Sequence, residues 1–215
     1  MTSKEFTQRL TRRAKRAGVP VAPELAQKLW VYFDLLFRWN TKINLTSLSP
    51  EKPDEAIDRL IIEPLVAATE LMASGLRHID IGSGGGSPAL PIKLAAPQTK
   101  LVMVESKARK SAFLREALRH LAIDAAVETA RFEELLARPD LHEAFDALTM
   151  RAVKTEAKTL ASLQAFVRPG GRILLFRRAG SERQPAWLAP PLRSTRTIPL
   201  IPGSELAVLE KLRIP

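Results

Sequence analysis

The sequence predicts an α/β fold: a mostly parallel sheet of seven strands preceded by a helical extension. Three observations support this. From Leu76 onwards, short apolar strands alternate with helical patterns; a glycine-rich turn follows the first strand; and only residues 202–204 separate the last two strands. Alternating strands and helices form a parallel sheet that is covered on both faces. The three-residue connection is too short for a parallel crossover, so the last two strands must form an antiparallel hairpin.

Residues 1–73 are predicted to form a helical extension packed on a core domain of residues 74–215. A basic amphipathic helix is expected over 3–17. An apolar helix is expected over 24–39, because Pro23 suits a first helical position. A third helix is expected over 54–72, with Asp54 as its N-cap and Pro64 kinking or splitting it. The second helix is apolar on so wide a stripe that it should dock on the core domain.

Within the core domain, the spacing of apolar residues predicts seven strands, over 76–81, 100–105, 125–130, 146–151, 172–177, 195–201 and 206–212. Helices are predicted near 88–95, 107–121, 132–137 and 155–166. The stretch 179–194 contains three prolines and is predicted to be an exposed loop.

Composition excludes several classes of function. No apolar run approaches the roughly 20 residues that a membrane span requires, and the N-terminus lacks the pattern of a secretory signal, so a cytoplasmic protein is expected. The chain has no cysteine, which excludes disulfides, thiolate metal sites and a cysteine nucleophile. Its three histidines lack the spacing of metal ligands, and no metal is expected.

The net charge of +10 is concentrated in two clusters, residues 1–20 and 168–196. Arginine clusters suit phosphate, so a nucleic-acid partner is favoured. A surface that merely keeps the protein soluble is the alternative.

A glycine-rich turn follows the first predicted strand, in the order Asp80-Ile81-Gly82-Ser83-Gly84-Gly85-Gly86-Ser87-Pro88. Glycines allow backbone N–H groups to approach a ligand closely, and the helix that follows begins with unpaired donors. The second strand ends in Glu105, which can accept hydrogen bonds from both hydroxyls of a ribose. These features indicate an adenosine-containing ligand, either NAD or S-adenosylmethionine. The C-terminal hairpin favours a class I methyltransferase over a dinucleotide-dependent reductase.

Further motifs occur in a recognisable order from about residue 25 to the C-terminus. Besides the glycine-rich turn, they are Trp39-Asn40-x-Lys42-x-Asn44-Leu45-Thr46, Ala112-Phe113-Leu114-Arg115-Glu116, Phe145-Asp146, Arg151-Ala152 and Arg168-Pro169-Gly170-Gly171. Together they resemble the glucose-inhibited division protein B family, bacterial small-subunit rRNA guanine-N7 methyltransferases. The resemblance implies a class I S-adenosylmethionine-dependent methyltransferase that acts on 16S rRNA or the 30S subunit. A monomer is expected.

The resemblance also implies a role for individual residues. Those expected to bind S-adenosylmethionine are Asp80, Gly82, Gly84 and Ser87 around the methionine part, Glu105 on the ribose, Phe132 and Glu133 beside the adenine, and Arg151. Those expected to form the catalytic site are Arg151, Asn44 and Arg59.

Methylation of guanine N7 needs no general base, because N7 carries a lone pair and no proton. The sequence agrees, since it lacks the cysteine of cytosine-C5 methylation. Residues 149–152 also lack the Asn/Asp-Pro-Pro-aromatic segment common in amine methylation. Departures from the family occur at the expected site: Leu60 replaces a histidine, Glu63-Pro64 replaces Asp-Ser, and Phe132 replaces a small residue. Two alternatives therefore remain, a methyltransferase with a small-molecule or protein substrate and a non-catalytic RNA-binding descendant.

Overall fold

The computed structural model describes residues 1–151, 157–180 and 190–213. The strands are β1 (Arg77–Ile81), β2 (Lys100–Val104), β3 (Ala125–Glu128), β4 (Phe145–Arg151), β5 (Val167–Arg178), β6 (Leu192–Pro199) and β7 (Ser204–Lys211). The α-helices are α1 (Ser3–Arg16), α2 (Pro23–Asn40), α3 (Pro53–Ile57), α4 (Glu63–Ala68), α5 (Ala89–Ala95), α6 (Ala108–Leu121), α7 (Phe132–Leu135) and α8 (Ala157–Leu163).

The seven strands form one sheet in the order β3-β2-β1-β4-β5-β7-β6. The first five strands pair in parallel, while β7 pairs antiparallel with both β5 and β6. The predicted fold and the predicted hairpin are therefore confirmed. Because the chain runs outwards in opposite directions from β1 and β4, these two central strands mark the point at which strand order reverses. Ligands of such sheets bind at that point.

The N-terminal helices cover one face of the sheet. A single apolar core joins Phe6 of α1 and Leu36 of α2 to Leu101 and Met103 of β2 and to Phe113 of α6. Tilted aromatic contacts extend this core, since the ring of Phe6 lies 5.1 Å from that of Phe33 on α2. The opposite face packs a second core against α8 and the turn that follows it. Within the described parts of the chain, no helix is both long enough and apolar enough to cross a membrane.

The third predicted helix, over 54–72, is broken into pieces. Between α3 and α4 the backbone forms one wide π-helical turn, Asp58–Ile62, and α4 ends in a short 3-10 turn, Thr69–Leu71. The N–H of Glu63 donates to the carbonyl of Asp58, five residues earlier. Pro64 follows directly and has no N–H to continue an α-helical pattern. The predicted disruption at this proline thus takes the form of a π turn.

Three sequence predictions about element ends are wrong. The residue before α3 is Lys52, and Asp54 forms ion pairs with Arg9 and Arg13 instead of capping the helix. Strand β5 begins at Val167, five residues before its predicted start, because Val167 already pairs with Phe145 of β4; the register then shifts across the Arg-Pro-Gly-Gly segment before Arg172 pairs with Ala147. The predicted loop over 179–194 ends earlier than expected, since β6 begins at Leu192. Residues 181–189 of that loop, and the predicted helix start at 155–156, lie outside the described residues.

Candidate active site

A cavity of about 420 Å³ opens at the carboxyl ends of the central strands. Side chains alternate between the faces of a strand, and this places Asp80, Glu105 and Arg151 on the face towards the N-terminal helices. The cavity is lined by Leu36, Leu45, Thr46, Ser47, Leu48, Arg59, Leu60, Gly82, Ser83, Gly84, Gly85, Ser87, Glu105, Lys110 and Arg151. Its volume is within the range of small-molecule sites.

The glycine-rich turn forms the floor of the cavity, but its first amides do not face a ligand. The N–H groups of Gly82 and Ser83 both donate to the carbonyl of Val104, at 2.9 and 3.0 Å. The N–H of Gly84 donates to Oε2 of Glu105 at 2.9 Å. The expectation that the turn offers open donors is therefore wrong for these three amides, which instead fasten the turn to the end of β2.

The glycines of the turn are required for its shape and for close packing. Gly82 and Gly84 have positive φ angles, 73° and 51°, which other residues rarely adopt. At Gly85 a Cβ atom would lie 2.9 Å from Cδ1 of Leu36 and 3.2 Å from the carbonyl oxygen of Leu45. The turn is also held from below, because the buried hydroxyl of Tyr32 donates to the carbonyl of Gly85 at 2.8 Å.

Glu105 forms the wall of the cavity next to the turn. One carboxylate oxygen accepts from the N–H of Gly84, and the other accepts from the N–H of Lys107 at 2.8 Å. An ionised carboxylate has about four acceptor positions, so two positions remain for the hydroxyls of a bound ribose. The backbone amides fix the orientation of this side chain.

Asp80 lies beneath the turn, and it is not among the residues that line the cavity. It is buried and accepts a hydrogen bond from Thr149, whose hydroxyl also lies 2.7 Å from Nε2 of His78. Burial raises the pKa of Asp80 to about 6, and burial lowers the pKa of His78 to about 3. Asp80 Oδ2 and His78 Nδ1 are buried and have no hydrogen-bond partner among the residues that the structure describes. Asp80, Thr149 and His78 thus form a buried polar cluster beneath the glycine-rich turn.

Arg151 extends from the end of β4 into the cavity wall, where several groups hold its side chain. It donates to the carbonyl of Arg59, to the hydroxyl of Ser87 at 3.3 Å and to Oε2 of Glu63 at 2.7 Å. Its guanidinium lies over the ring of Phe176, 4.3 Å from the ring centre. Burial lowers the pKa of Arg151 to about 10, so the group is still charged at neutral pH.

Glu63 was not predicted as a site residue, yet its carboxylate holds both arginines of the wall. Besides Arg151, it pairs with Arg59 at 2.8 Å, and the two residues are one helical turn apart. No periodicity in the sequence links Glu63 to Arg151, because 88 positions separate them. The only sequence feature that drew attention to Glu63 was that Glu63-Pro64 differs from the family motif.

The loop after α2 forms the opposite side of the cavity. Asn40 closes it: its Oδ1 accepts from the N–H groups of Leu45 and Thr46 at 2.8 and 3.0 Å. Leu45 and Thr46 line the cavity, whereas the predicted site residue Asn44 is exposed and is not among the lining residues. Lys110 of α6 lines the cavity too and was missed by sequence reasoning, because a lysine in a basic helix start gives no specific signal.

Phe132 and Glu133, predicted to border an adenine, lie outside the lining of this cavity. Phe132 packs against the second core, and Glu133 is exposed and pairs with Arg131 at 3.7 Å. Their contact with a cofactor stays a prediction. Among the described residues there is also no group of three or more histidine or acidic side chains that could hold a metal ion.

Within the described parts of the chain, eight basic groups of the two clusters form ion pairs with acids, three in the N-terminal cluster and five in the C-terminal cluster. On α1, Arg9, Arg12 and Arg13 pair with Asp54, and Arg13 also pairs with Asp58. In the C-terminal cluster the ion pairs are Arg168–Asp146, Arg172–Glu70, Arg177–Glu205, Arg193–Glu210 and Arg196–Glu70. The net charge counted along the sequence therefore overstates the number of unpaired cations that could bind phosphates.

Comparison with known proteins identifies the family. The family profile described as rRNA small subunit methyltransferase G (GidB) matches residues 25–187. The chain belongs to the GidB family. Two relatives in the GidB family are both named ribosomal RNA small subunit methyltransferase G. The protein of Xanthomonas campestris pv. campestris (strain B100) is 35% identical over 184 residues, 85% of this chain and 83% of that protein. The protein of Desulfitobacterium hafniense (strain Y51) is 32% identical over 182 residues, 84% of this chain and 72% of that protein.

The fold of this GidB chain is similar to that of several solved structures. A SAM-dependent methyltransferase from Aquifex aeolicus matches with a TM-score of 0.56 and 15% identity, covering 77% of this chain and all of that one. TYW2 from P. horikoshii, in complex with MeSAdo, matches with a TM-score of 0.55 and 14% identity, covering 78% of this chain and 64% of that one. At such identities the likeness concerns the fold alone.

Proposed function

We propose that the protein transfers the methyl group of S-adenosylmethionine to N7 of a guanosine in 16S ribosomal RNA. The observation that carries the proposal is the cavity between the glycine-rich turn and Glu105, in a chain of the GidB family. A ribosomal substrate also implies action in the cytoplasm, and we propose a monomer as the active form.

The cavity fits an adenosyl ligand in two respects. The carboxylate of Glu105 is fixed by two backbone amides and keeps free acceptor positions for two ribose hydroxyls. At Gly84 an added Cβ would meet only the carbonyl oxygen of Gly82 within 4 Å, at 3.7 Å, so this position leaves the space beside Glu105 open. When bound, S-adenosylmethionine supplies an electrophilic methyl group on a sulfonium. The task of this chain is to hold an acceptor atom in line with that group and to keep water away from it.

The ionisable residues of the cavity wall suit N7 as the acceptor. Among the lining residues that the structure describes, these are three bases, Arg59, Lys110 and Arg151, and one acid, Glu105. The free acceptor positions of Glu105 are assigned to the ribose hydroxyls, so among these lining residues no other carboxylate and no histidine is placed to remove a proton. Guanine N7 needs no such group, and cationic side chains can instead contact the acceptor oxygens of the nucleotide.

Basic groups near the cavity mouth favour an RNA substrate. The side chain of Arg59 is 44% exposed, and Lys110 lies in the first turn of α6. Lys107 and Arg109, next to it in sequence, are exposed. Contacts of such groups with phosphates should make the affinity for RNA fall as salt increases.

The test is transfer of tritium from labelled S-adenosylmethionine to 30S subunits that lack this methylation, with naked 16S rRNA as a second substrate. N7-methylguanosine is then located by reduction and aniline cleavage of the RNA. One labelled guanosine is the expected result, and Glu105→Ala should lose the transfer.

Other results would redirect the assignment. Transfer to a small molecule or protein but not to RNA would contradict the proposed substrate. RNA binding without transfer, at saturating S-adenosylmethionine, would indicate a non-catalytic RNA-binding protein. Label on a guanosine that resists aniline cleavage would overturn N7 as the acceptor.

A further inference from the structure

A single buried carboxylate joins three elements behind the cavity. Glu63 opens α4, and its side chain is only 1% exposed. Its Oε1 accepts from Nη1 of Arg59 at 2.8 Å and from the hydroxyl of Ser204, the first residue of β7, at 2.5 Å. Its Oε2 accepts from Nη2 of Arg151 at 2.7 Å. A charge so fully removed from water depends on these partners.

Glu63 itself does not line the cavity, whereas both of its arginine partners do. It therefore holds Arg59 and Arg151 from behind. Two guanidinium groups brought to one wall repel each other, and a carboxylate shared between them offsets that repulsion. Each guanidinium has five donors in a rigid plane, so fixing one edge on Glu63 fixes the direction of the other edge.

The backbone around Glu63 is also unusual. The π turn Asp58–Ile62 carries Arg59 as its second residue and ends immediately before Glu63. Single π turns within helices are uncommon and occur frequently at functional sites. Here the turn lies where the helix presents Arg59 and Glu63 to β4, which is the position that the shared contact with Arg151 requires.

We propose that Glu63 is a positioning residue for methyl transfer. It fixes the guanidinium of Arg151 in the cavity wall and aims the outer donors of the half-exposed Arg59 at the oxygen atoms of the target nucleotide, while S-adenosylmethionine is held by the turn and Glu105. This inference rests on the proposed function. Ser204 ties the same carboxylate to the C-terminal hairpin, so the hairpin contributes to the position of the arginines.

The chain offers a matched control on the same helical segment. Glu70 is also nearly buried, with a side chain 8% exposed, and it also bridges two arginines, Arg172 and Arg196. Neither of those arginines lines the cavity. Replacing Glu70 thus removes a similar ion-paired carboxylate without touching the proposed site.

The experiment compares Glu63→Gln, Glu63→Asp and Glu70→Gln in methyl transfer to 30S subunits, with the folded fraction measured by circular dichroism. We expect Glu63→Gln to lower kcat/KM for the RNA about a hundredfold, the size of effect that misplaced groups produce. The Kd of S-adenosylmethionine, measured by calorimetry, should stay within about twofold of the unmodified protein. Glu63→Asp keeps the charge and moves it by one methylene, so an intermediate loss of about tenfold is expected.

Two outcomes would overturn the proposal. If Glu63→Gln loses no more activity than Glu70→Gln at equal folded fraction, Glu63 is merely structural. If the affinity for S-adenosylmethionine falls as far as the rate does, Glu63 shapes the cofactor cavity instead of positioning the arginines. Should Glu63→Gln fail to fold, Glu63→Asp decides alone: a fully folded variant with unchanged kcat/KM contradicts the proposal.

A readout without activity separates this inference from the proposed function. At low temperature, guanidinium groups held by hydrogen bonds rotate slowly and give resolved Nη signals in ¹⁵N spectra. The signals of Arg59, assigned with a lysine variant, should collapse in Glu63→Gln and persist in Glu70→Gln, whereas Arg151 keeps its bonds to the carbonyl of Arg59 and to Ser87. If the unmodified protein methylates no RNA, the proposed function fails. Unchanged signals in Glu63→Gln would show that Glu63 does not hold the arginines.

Discussion

Replacing Asp80 with asparagine should add a pH dependence to the stability of the protein that Asp80 offsets in the unmodified chain. Asp80 and His78 lie two residues apart on β1, both are buried, and both contact Thr149. Burial raises the pKa of Asp80 from 3.8 to about 6, so its folded form keeps a proton that the unfolded chain has lost. Burial lowers the pKa of His78 from 6.5 to about 3, so its unfolded form takes up a proton that the folded chain refuses.

These two groups affect stability with opposite signs. The contribution of Asp80 is present below about pH 4 and is lost as pH rises through about 6. The contribution of His78 is present above about pH 6.5 and is lost as pH falls towards 3. Each changes the free energy of unfolding by about 1.4 kcal/mol per pH unit within its range. Between about pH 4 and pH 6 the two slopes therefore cancel in the unmodified protein.

Single replacements remove one slope and expose the other. Asp80→Asn keeps an acceptor for Thr149 and should gain about 3 kcal/mol of unfolding free energy, relative to the unmodified chain, as pH rises from 4 to 6. His78→Gln keeps a donor near Thr149 and should lose about as much over the same range. The double variant should again show little dependence on pH.

The measurement is urea unfolding at several pH values from 4 to 6.5, each variant being compared with the unmodified chain so that titration of other groups cancels. A difference between Asp80→Asn and the unmodified chain that stays constant from pH 4 to 6 would refute the reasoning. It would mean that Asp80 is ionised throughout, in spite of its burial.

Three further predictions concern the site. Glu105→Ala removes the acceptor for the ribose and the partner of the Gly84 amide. The affinity for S-adenosylmethionine, measured by calorimetry, should therefore fall at least about tenfold. An unchanged affinity would exclude Glu105 from the site. Tyr32→Phe leaves the carbonyl of Gly85 without its donor. The free energy of unfolding, measured in urea, should fall by about 1–2 kcal/mol. An equally stable variant would show that this hydrogen bond contributes nothing to stability. Gly85→Ala places a Cβ 3.2 Å from the carbonyl oxygen of Leu45. This crowding should lower the free energy of unfolding by about 1–3 kcal/mol and also weaken cofactor binding. Unchanged affinity together with unchanged stability would mean that the turn shifts to make room for the methyl group.

Much of the fold could be predicted from local patterns. The order of strands and helices follows from apolar periodicity, and the C-terminal hairpin follows from the length of one connection. The errors occurred where local chemistry is ambiguous: β5 begins before the Pro-Gly-Gly segment instead of after it, and Asp54 pairs with arginines of α1 instead of capping a helix.

The candidate site was predicted only in part. Gly82, Gly84, Ser87, Glu105, Arg59 and Arg151 line one cavity, although they come from separate parts of the chain. The roles of Asn44, Phe132 and Glu133 stay predictions. So does the division of the chain at residue 73, because a single core contains residues from both sides of it.

The sequence by itself determined the fold class, the glycine-rich turn with its acidic neighbour and the family, since each depends on residues that are close in the chain or on a motif order. The tertiary structure alone decided which charged groups pair with each other and which face the cavity. It showed that the amides of the turn are bonded to β2 and Glu105, that three arginines of α1 pair with acids of the following helical segment, and that Glu63 joins Arg59 to Arg151. The physical reason is that a charge or a donor acts on whatever lies within a few ångströms of it, and that neighbourhood exists only once distant segments have packed together.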